Sequence, residues 1–155
     1  MSDKLLDILS GINTRLTTYT ATGQDLEAIK SFFVKHTASD VPPEYISQPP
    51  VLMVDPLPVS PQLNSIPPCS YIKPTAIRFQ LFTENAGDTT NSQAITIIDA
   101  LENVFFQQSF GLSNMLIDVT EKNYNIPASA PFQAPVNGGA ALTITYTYED
   151  IRTLI

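Results

Sequence analysis

The chain has 155 residues, 43% of them hydrophobic, and sets fifteen acids against eight bases for a net charge of −7. Its length suits one domain with a real core, and no apolar run approaches the ~20 residues that span a bilayer. The bases (Lys4, Arg15, Lys30, Lys35, Lys73, Arg78, Lys122 and Arg152) are scattered. This argues against binding a phosphate backbone or an anionic membrane, both of which need clustered cations.

The opening Met1-Ser2-Asp3-Lys4-Leu5-Leu6 lacks the basic region and long apolar stretch of a signal peptide, which predicts a chain made in, and initially kept in, a cytoplasm. Residues 3–18 are predicted as a helix, because Leu5, Ile8, Leu9, Ile12 and Leu16 recur at the spacing of one buried face. Ser2 is placed to cap it and Gly23 marks the following turn. Leu26, Ile29, Phe32 and Phe33 predict a second helix over 24–36 with those four on one face.

Ten of the thirteen prolines lie between Pro42 and Pro74. Proline lacks an amide donor, so this stretch is expected to stay out of helices and of the sheet centre. Val51-Leu52-Met53-Val54 is the exception and reads as a short buried strand. Residues 56–74 are expected as a long loop, either a functional arm or a surface insertion.

Residues 75–83 alternate Ile77, Phe79 and Leu81 with Arg78 and Gln80, the mark of a half-buried strand. A turn over 84–88 leads to a helix over 91–108, with Thr90 and Gln93 as a capping box and Ala94, Ile98, Leu101 and Phe105 inward. Residues 115–120 predict a third strand, and 123–139 a second proline-punctuated loop ending in a turn at Asn137-Gly138-Gly139. In the last strand Leu142, Ile144, Tyr146 and Tyr148 alternate with Thr143, Thr145, Thr147 and Glu149. The expected fold is a single α+β domain over 1–155. Helices pack on one face of a mostly antiparallel sheet of about four strands, with long Pro-rich loops.

Residues for chemistry are few. Cys69 is the only cysteine, so an intrachain disulfide and thiolate metal sites are excluded, and it reads as a packed small residue. His36, the only histidine, follows Lys35 near the expected end of a helix, where a cation is favoured by the dipole. One imidazole is too few for an ordinary zinc site. No phosphate-binding glycine loop occurs. Asp99 and Glu102, three apart on a helix, are expected on its solvated side, and Glu149-Asp150 is an adjacent pair. The expectation is a non-enzymatic chain with no cofactor and no metal.

What remains is apolar material on stiff loops, together with a threonine row. The candidate interface residues are Leu57, Val59, Leu63, Ile66, Tyr71, Tyr124, Ile126, Phe132 and Val136, joined by Thr143, Thr145 and Thr147. Proline-stiffened loops lose less entropy on binding. The other reading is that these side chains fold back over their own core.

The ordering resembles the tail terminators (minor tail protein U type) of long-tailed bacteriophages. The resemblance is carried by the N-terminal helix at Leu5-Leu6-Asp7-Ile8-Leu9, then the Pro-preceded strand Pro50-Val51-Leu52-Met53-Val54, then Ile77-Arg78-Phe79-Gln80-Leu81-Phe82. The helix Ile95-Thr96-Ile97-Ile98-Asp99-Ala100-Leu101 and the closing strand Leu142–Glu149 complete it. The second helix and the Pro-rich insertion depart from that pattern.

The resemblance implies a virion protein assembled in the host cytoplasm and sitting at the head-proximal end of the tail. Six copies would form a ring that caps the tail tube, stops its polymerisation and offers a surface to the head completion or neck protein. Genomic DNA would pass through without specific binding, and Asp88, Glu102, Asp118, Glu121 and Asp150 are candidates to line that channel. The alternatives are a head–tail connector or neck component, and a small ligand-binding or hydrolytic domain using His36 and nearby acids.

Overall fold

The computed structural model describes residues 4–36, 50–57, 62–64, 70–83, 92–106, 116–126 and 138–151. The elements are α1 (Lys4–Tyr19), β1 (Ser31–Val34), β2 (Val51–Pro56), β3 (Gln62–Asn64), β4 (Ser70–Thr83), α2 (Ser92–Phe105), β5 (Leu116–Ile126) and β6 (Gly138–Ile151). The architecture is α+β. Five strands run in the order β1-β2-β4-β6-β5, and β3 pairs with β4 beside that path. Among the described residues only β1–β2 is parallel; the other pairings are antiparallel. The expected sheet of about four mostly antiparallel strands is matched in part: among the described residues two further short strands, β1 and β3, form where helix and loop are expected.

The first of these is β1. Residues 24–36 do not form a helix. Gly23, at φ 85°, reverses the chain, and successive turns follow: Glu27 N donates to Gln24 O (3.1 Å) and Ile29 N to Leu26 O (3.0 Å). These turns bury Leu26 and Ile29. Lys30 N then donates to Pro50 O and Lys35 N to Val54 O, locking Ser31–Val34 beside β2. Two aromatics and a valine suit a pleated strand, and pairing with β2 outweighs local periodicity. Phe32 and Phe33 consequently point to opposite faces instead of sharing one. Phe32 packs on the core, whereas Phe33 sits opposite Met53.

The second correction concerns proline. Segment 56–74, expected as loop, contains the end of β2, all of β3 and the start of β4, which is a central strand. Each proline within these strands sits where a partner strand has stopped. Val54 O accepts from Lys35 on the β1 side, so Pro56 turns its nitrogen to the same side, beyond the last pair Val34↔Val54. Ala76 O accepts from Leu57 on the β2 side, so Pro74 faces that side too. There the β2 ladder has ended at Ile77 and the β3 ladder begins only at Ile72. Neither proline removes a ladder bond the sheet needs.

Likewise Gly138 and Gly139 do not form a turn but open β6, opposite Thr83 and Phe82. β5 reaches Ile126, so the second expected loop is shorter than 123–139. The Ser2 cap, the Thr90 capping box and Cys69 lie outside the described residues.

The core lies between the helices and one face of the sheet. Ile8, Leu9, Ile12 and Leu16 of α1 and Ala94, Ile97, Ile98, Leu101, Val104 and Phe105 of α2 are buried there. The sheet contributes Leu52, Val54, Ile77, Phe79, Leu81, Leu142, Ile144, Tyr146 and Tyr148. The register sets Val54 opposite Phe79 and Phe79 opposite Leu142, so these side chains share one face. Phe79 and Phe105 stack with ring centres 5.0 Å apart. Val51, Met53, Phe82 and Ala141 point away from the helices and are buried outside this cluster. Among the described residues no helix is long and apolar enough to cross a membrane.

Candidate interaction surface

The sheet face away from the helices carries the polar groups. Asp55 on β2 lies opposite Arg78 on β4, Arg78 opposite Thr143 on β6, and Thr143 opposite Glu121 on β5. These four form a row across the sheet, extended past β2 by Lys35, whose Nζ lies 3.4 Å from Asp55 Oδ1. Arg78 Nε donates to Glu121 Oε1 at 3.1 Å, and Thr143 Oγ1 donates to the same oxygen at 2.9 Å. The row alternates in sign: Lys35, Asp55, Arg78, Glu121. The Arg78–Glu121 side chains are 30% and 39% exposed, so the pair contributes little to stability. Its interest is positional.

A β-bulge builds the far end of this row. Val119 faces Ile144 and Glu121 faces Thr143, which leaves Thr120 as the extra residue. A bulge re-aims side chains. Here Thr120 and Glu121 both point to the polar face, with Thr120 Oγ1 3.1 Å from Thr145 Oγ1. Beyond the bulge the alternation is reversed. Ile117 and Val119 face the helices before it; Lys122 and Tyr124 do so after it. Beside Arg78 the surface opens into a concavity of about 380 Å³ lined by Leu57, Ala76, Arg78, Thr120, Glu121 and Thr143. Small Ala76 leaves the space.

On the helix side, Lys122 Nζ contacts Glu102 Oε2 at 2.6 Å and Asp99 Oδ1 at 2.9 Å. Tyr124 OH donates to Asp99 at 3.1 Å, and the Lys122 ammonium lies 5.8 Å from the Tyr124 ring centre. Hydrogen bonds to Glu102 and then Asp99 hold the Lys122 pKa above its ordinary value. The bond from Lys122 holds Asp99 below its own, against the opposing effect of burial. Asp99 and Glu102 were expected to be merely solvated. Instead they clamp edge strand β5 to α2, and the bulge supplies the lysine. A hollow of about 400 Å³ beside them is lined by Asp25, Thr96, Asp99, Ala100 and Asn103.

The twelve candidate interface residues are not brought together as one patch. Thr143 is buried, while Thr145 and Thr147 are half-buried on the polar face; Leu57 lines the concavity. Tyr124 is on the opposite face, hydrogen-bonded to α2. Leu63 pairs with Tyr71 across β3–β4, and Ile126 ends β5 opposite Gly139. Val59, Ile66, Phe132 and Val136 lie outside the described residues, as does Asp88. The channel candidates also divide. Asp118, opposite Thr145, and Glu121 are on the polar face, Glu102 faces the helix side, and Asp150 is paired in register with Tyr71.

Sequence reasoning missed Arg78, Thr120 and the Lys122 clamp, and named Glu121 only as a channel-lining candidate. The available signal was the broken alternation over Ile117–Tyr124, where Val119 and Lys122 face the same way although three apart. His36 is exposed just after β1. Among the described residues no three of His, Cys, Asp and Glu lie close enough to hold a metal ion. The groups gathered on the polar face are hydroxyls, carboxylates, a guanidinium and the Lys35 ammonium, which can make charged and hydrogen-bonded contacts. No protein-family model matches the chain, and no curated protein matches it in sequence.

Proposed function

We propose that this chain is a non-catalytic structural subunit of a phage virion, a tail terminator whose copies close a ring on the end of the tail tube. The observation that carries the reading is the one-sided sheet. Both helices cover one face, and the other, beyond its buried Val51, Met53, Phe82 and Ala141, carries a charge-alternating row, threonine hydroxyls and a concavity. Edge strand β5 lies beside that surface, with Leu116 68% exposed at its start. Such a face offers specific polar contacts with neighbours on a rigid sheet.

The order of elements noted in the sequence supports the same reading. In this role the ring stops tube growth, meets a neck protein on its head side and lets DNA pass through an acidic lumen. Mass in solution and electron microscopy test it. Rings in the pure protein, and tubes that stop elongating when it is added, are expected. A strict monomer that forms no rings even beside tail tubes overturns the proposal. Labelled density at the head vertex, apart from the tube end, assigns the chain to the neck instead.

A further inference from the structure

We infer that the Arg78 concavity is a socket for a carboxylate side chain of a second copy of this chain. The inference rests on the ring reading and adds to it the contact that holds subunits together.

Three observations converge. First, Arg78 engages the described residues through Nε alone, and its terminal nitrogens have no acceptor among those residues. A guanidinium fork of this kind matches a carboxylate with two parallel hydrogen bonds. Second, the fork borders a hollow large enough for a side chain, with the Thr120 hydroxyl on its wall and Ala76 leaving room. Third, the charge balance selects the occupant. Fifteen acids against eight bases make copies repel unless an acid of one meets a base of the other.

Three of the other described bases are already engaged. Lys35 is held by Asp55 and Lys122 by two carboxylates, while Arg15 reaches a carbonyl of α2. Arg78 is the cation that the polar face keeps partly available. Carboxylates to fill the socket are plentiful, for Asp7, Asp25, Glu27 and Asp118 are all exposed. Glu121 holds the guanidinium in place from one side and competes with the incoming acid, which gives the test a sign.

Sedimentation velocity across a concentration series reads it, on the wild type and on Arg78→Glu, Ala76→Phe and Glu121→Gln. Arg78→Glu is expected to weaken association at least about thirtyfold, the loss typical of an arginine hot spot. Ala76→Phe fills the hollow while keeping the charge and is expected to weaken it too. Glu121→Gln removes the competing charge and is expected to tighten association. Circular dichroism establishes that each variant is folded, and Arg78→Lys stands in for Arg78→Glu if that variant is not, with a smaller loss expected. Oligomers indifferent to Arg78→Glu and Ala76→Phe overturn the socket and leave the ring reading intact. Arg78-dependent dimers that never close support the socket and sink the ring. A wild type monomeric at every concentration overturns both.

Discussion

Tyr146 is fully buried at the centre of β6, and its hydroxyl donates to the Phe105 carbonyl at 3.1 Å. That carbonyl belongs to the last turn of α2, where four acceptors lack helical partners. Arg15 satisfies a second, donating from Nη2 to Val104 O at 3.4 Å while lying 5.0 Å from the centre of the Tyr19 ring. A sheet tyrosine and an α1 arginine thus cap α2 and fix it to both neighbours, although the helix has no basic residue in its last turn. Replacing Tyr146 by Phe keeps the ring and orphans the carbonyl. It is expected to lower unfolding free energy by about 1 kcal/mol in urea titrations. Burial pushes the Tyr146 pKa above its ordinary value of 10.0. Its stabilising contribution is complete below that value and lost as pH rises past it, so the Phe variant should be less sensitive to alkali. Phe79→Ala is the harsher change, since it empties a fully buried site against Phe105; a loss of about 3–5 kcal/mol is expected.

Among the elements, β5 has two jobs that plain alternation cannot combine. Its first residues turn Ile117 and Val119 to the core, and continued alternation would put Glu121 inside and Lys122 outside. The bulge at Thr120 reverses this, so Glu121 meets Arg78 and Lys122 meets α2. Deleting Thr120 leaves Glu121 facing out and Lys122 facing in, because the bulge residue is surplus to the pairing. The deletion is therefore expected to cost little stability while changing the concavity, read as a preserved thermal midpoint with altered self-association. Lys122→Ala tests the clamp. Its partners are partly exposed, so a loss of about 1 kcal/mol or less is expected near neutrality. Asp99 is held below its ordinary value, so its share is present above the carboxylate range and fades as pH falls through it. Lys122 is held above its own, so its share is present below 10.5 and fades above it. Wild type and variant should therefore converge in acid. Legibility divides along the same line. Helices α1 and α2 and strand β6 were readable because each buries one face with its own period. β1 was not, since four residues become a strand only beside β2. The polar row was not, since it takes one residue from each of several strands, and only the register aligns them.

At the scale of the whole molecule, net charge is the property that any assembly must manage. Each copy carries −7, and association brings those charges together. Three described cations are engaged locally: Lys35 with Asp55, Lys122 with Asp99 and Glu102, and Arg78, through Nε only, with Glu121. No basic patch is left among the described residues for a phosphate backbone to release counterions against, and the exposed acids repel it. A ring of such copies would surround DNA with like charge, which permits passage and forbids adhesion. The expected result is unchanged anisotropy of a labelled duplex as protein is added, even at about 20 mM salt where electrostatic attraction is strongest. Replacing exposed Asp118 by Lys on the polar face should begin to produce salt-sensitive binding if that face lines the passage, and leave the duplex free if the face is buried between subunits. Tight, salt-dependent DNA binding by the wild type would contradict the passive-channel role. The second outcome is the one the proposed Arg78 socket requires, because that socket places a neighbouring copy on the same face; salt-sensitive binding by rings of the Asp118→Lys variant would count against it.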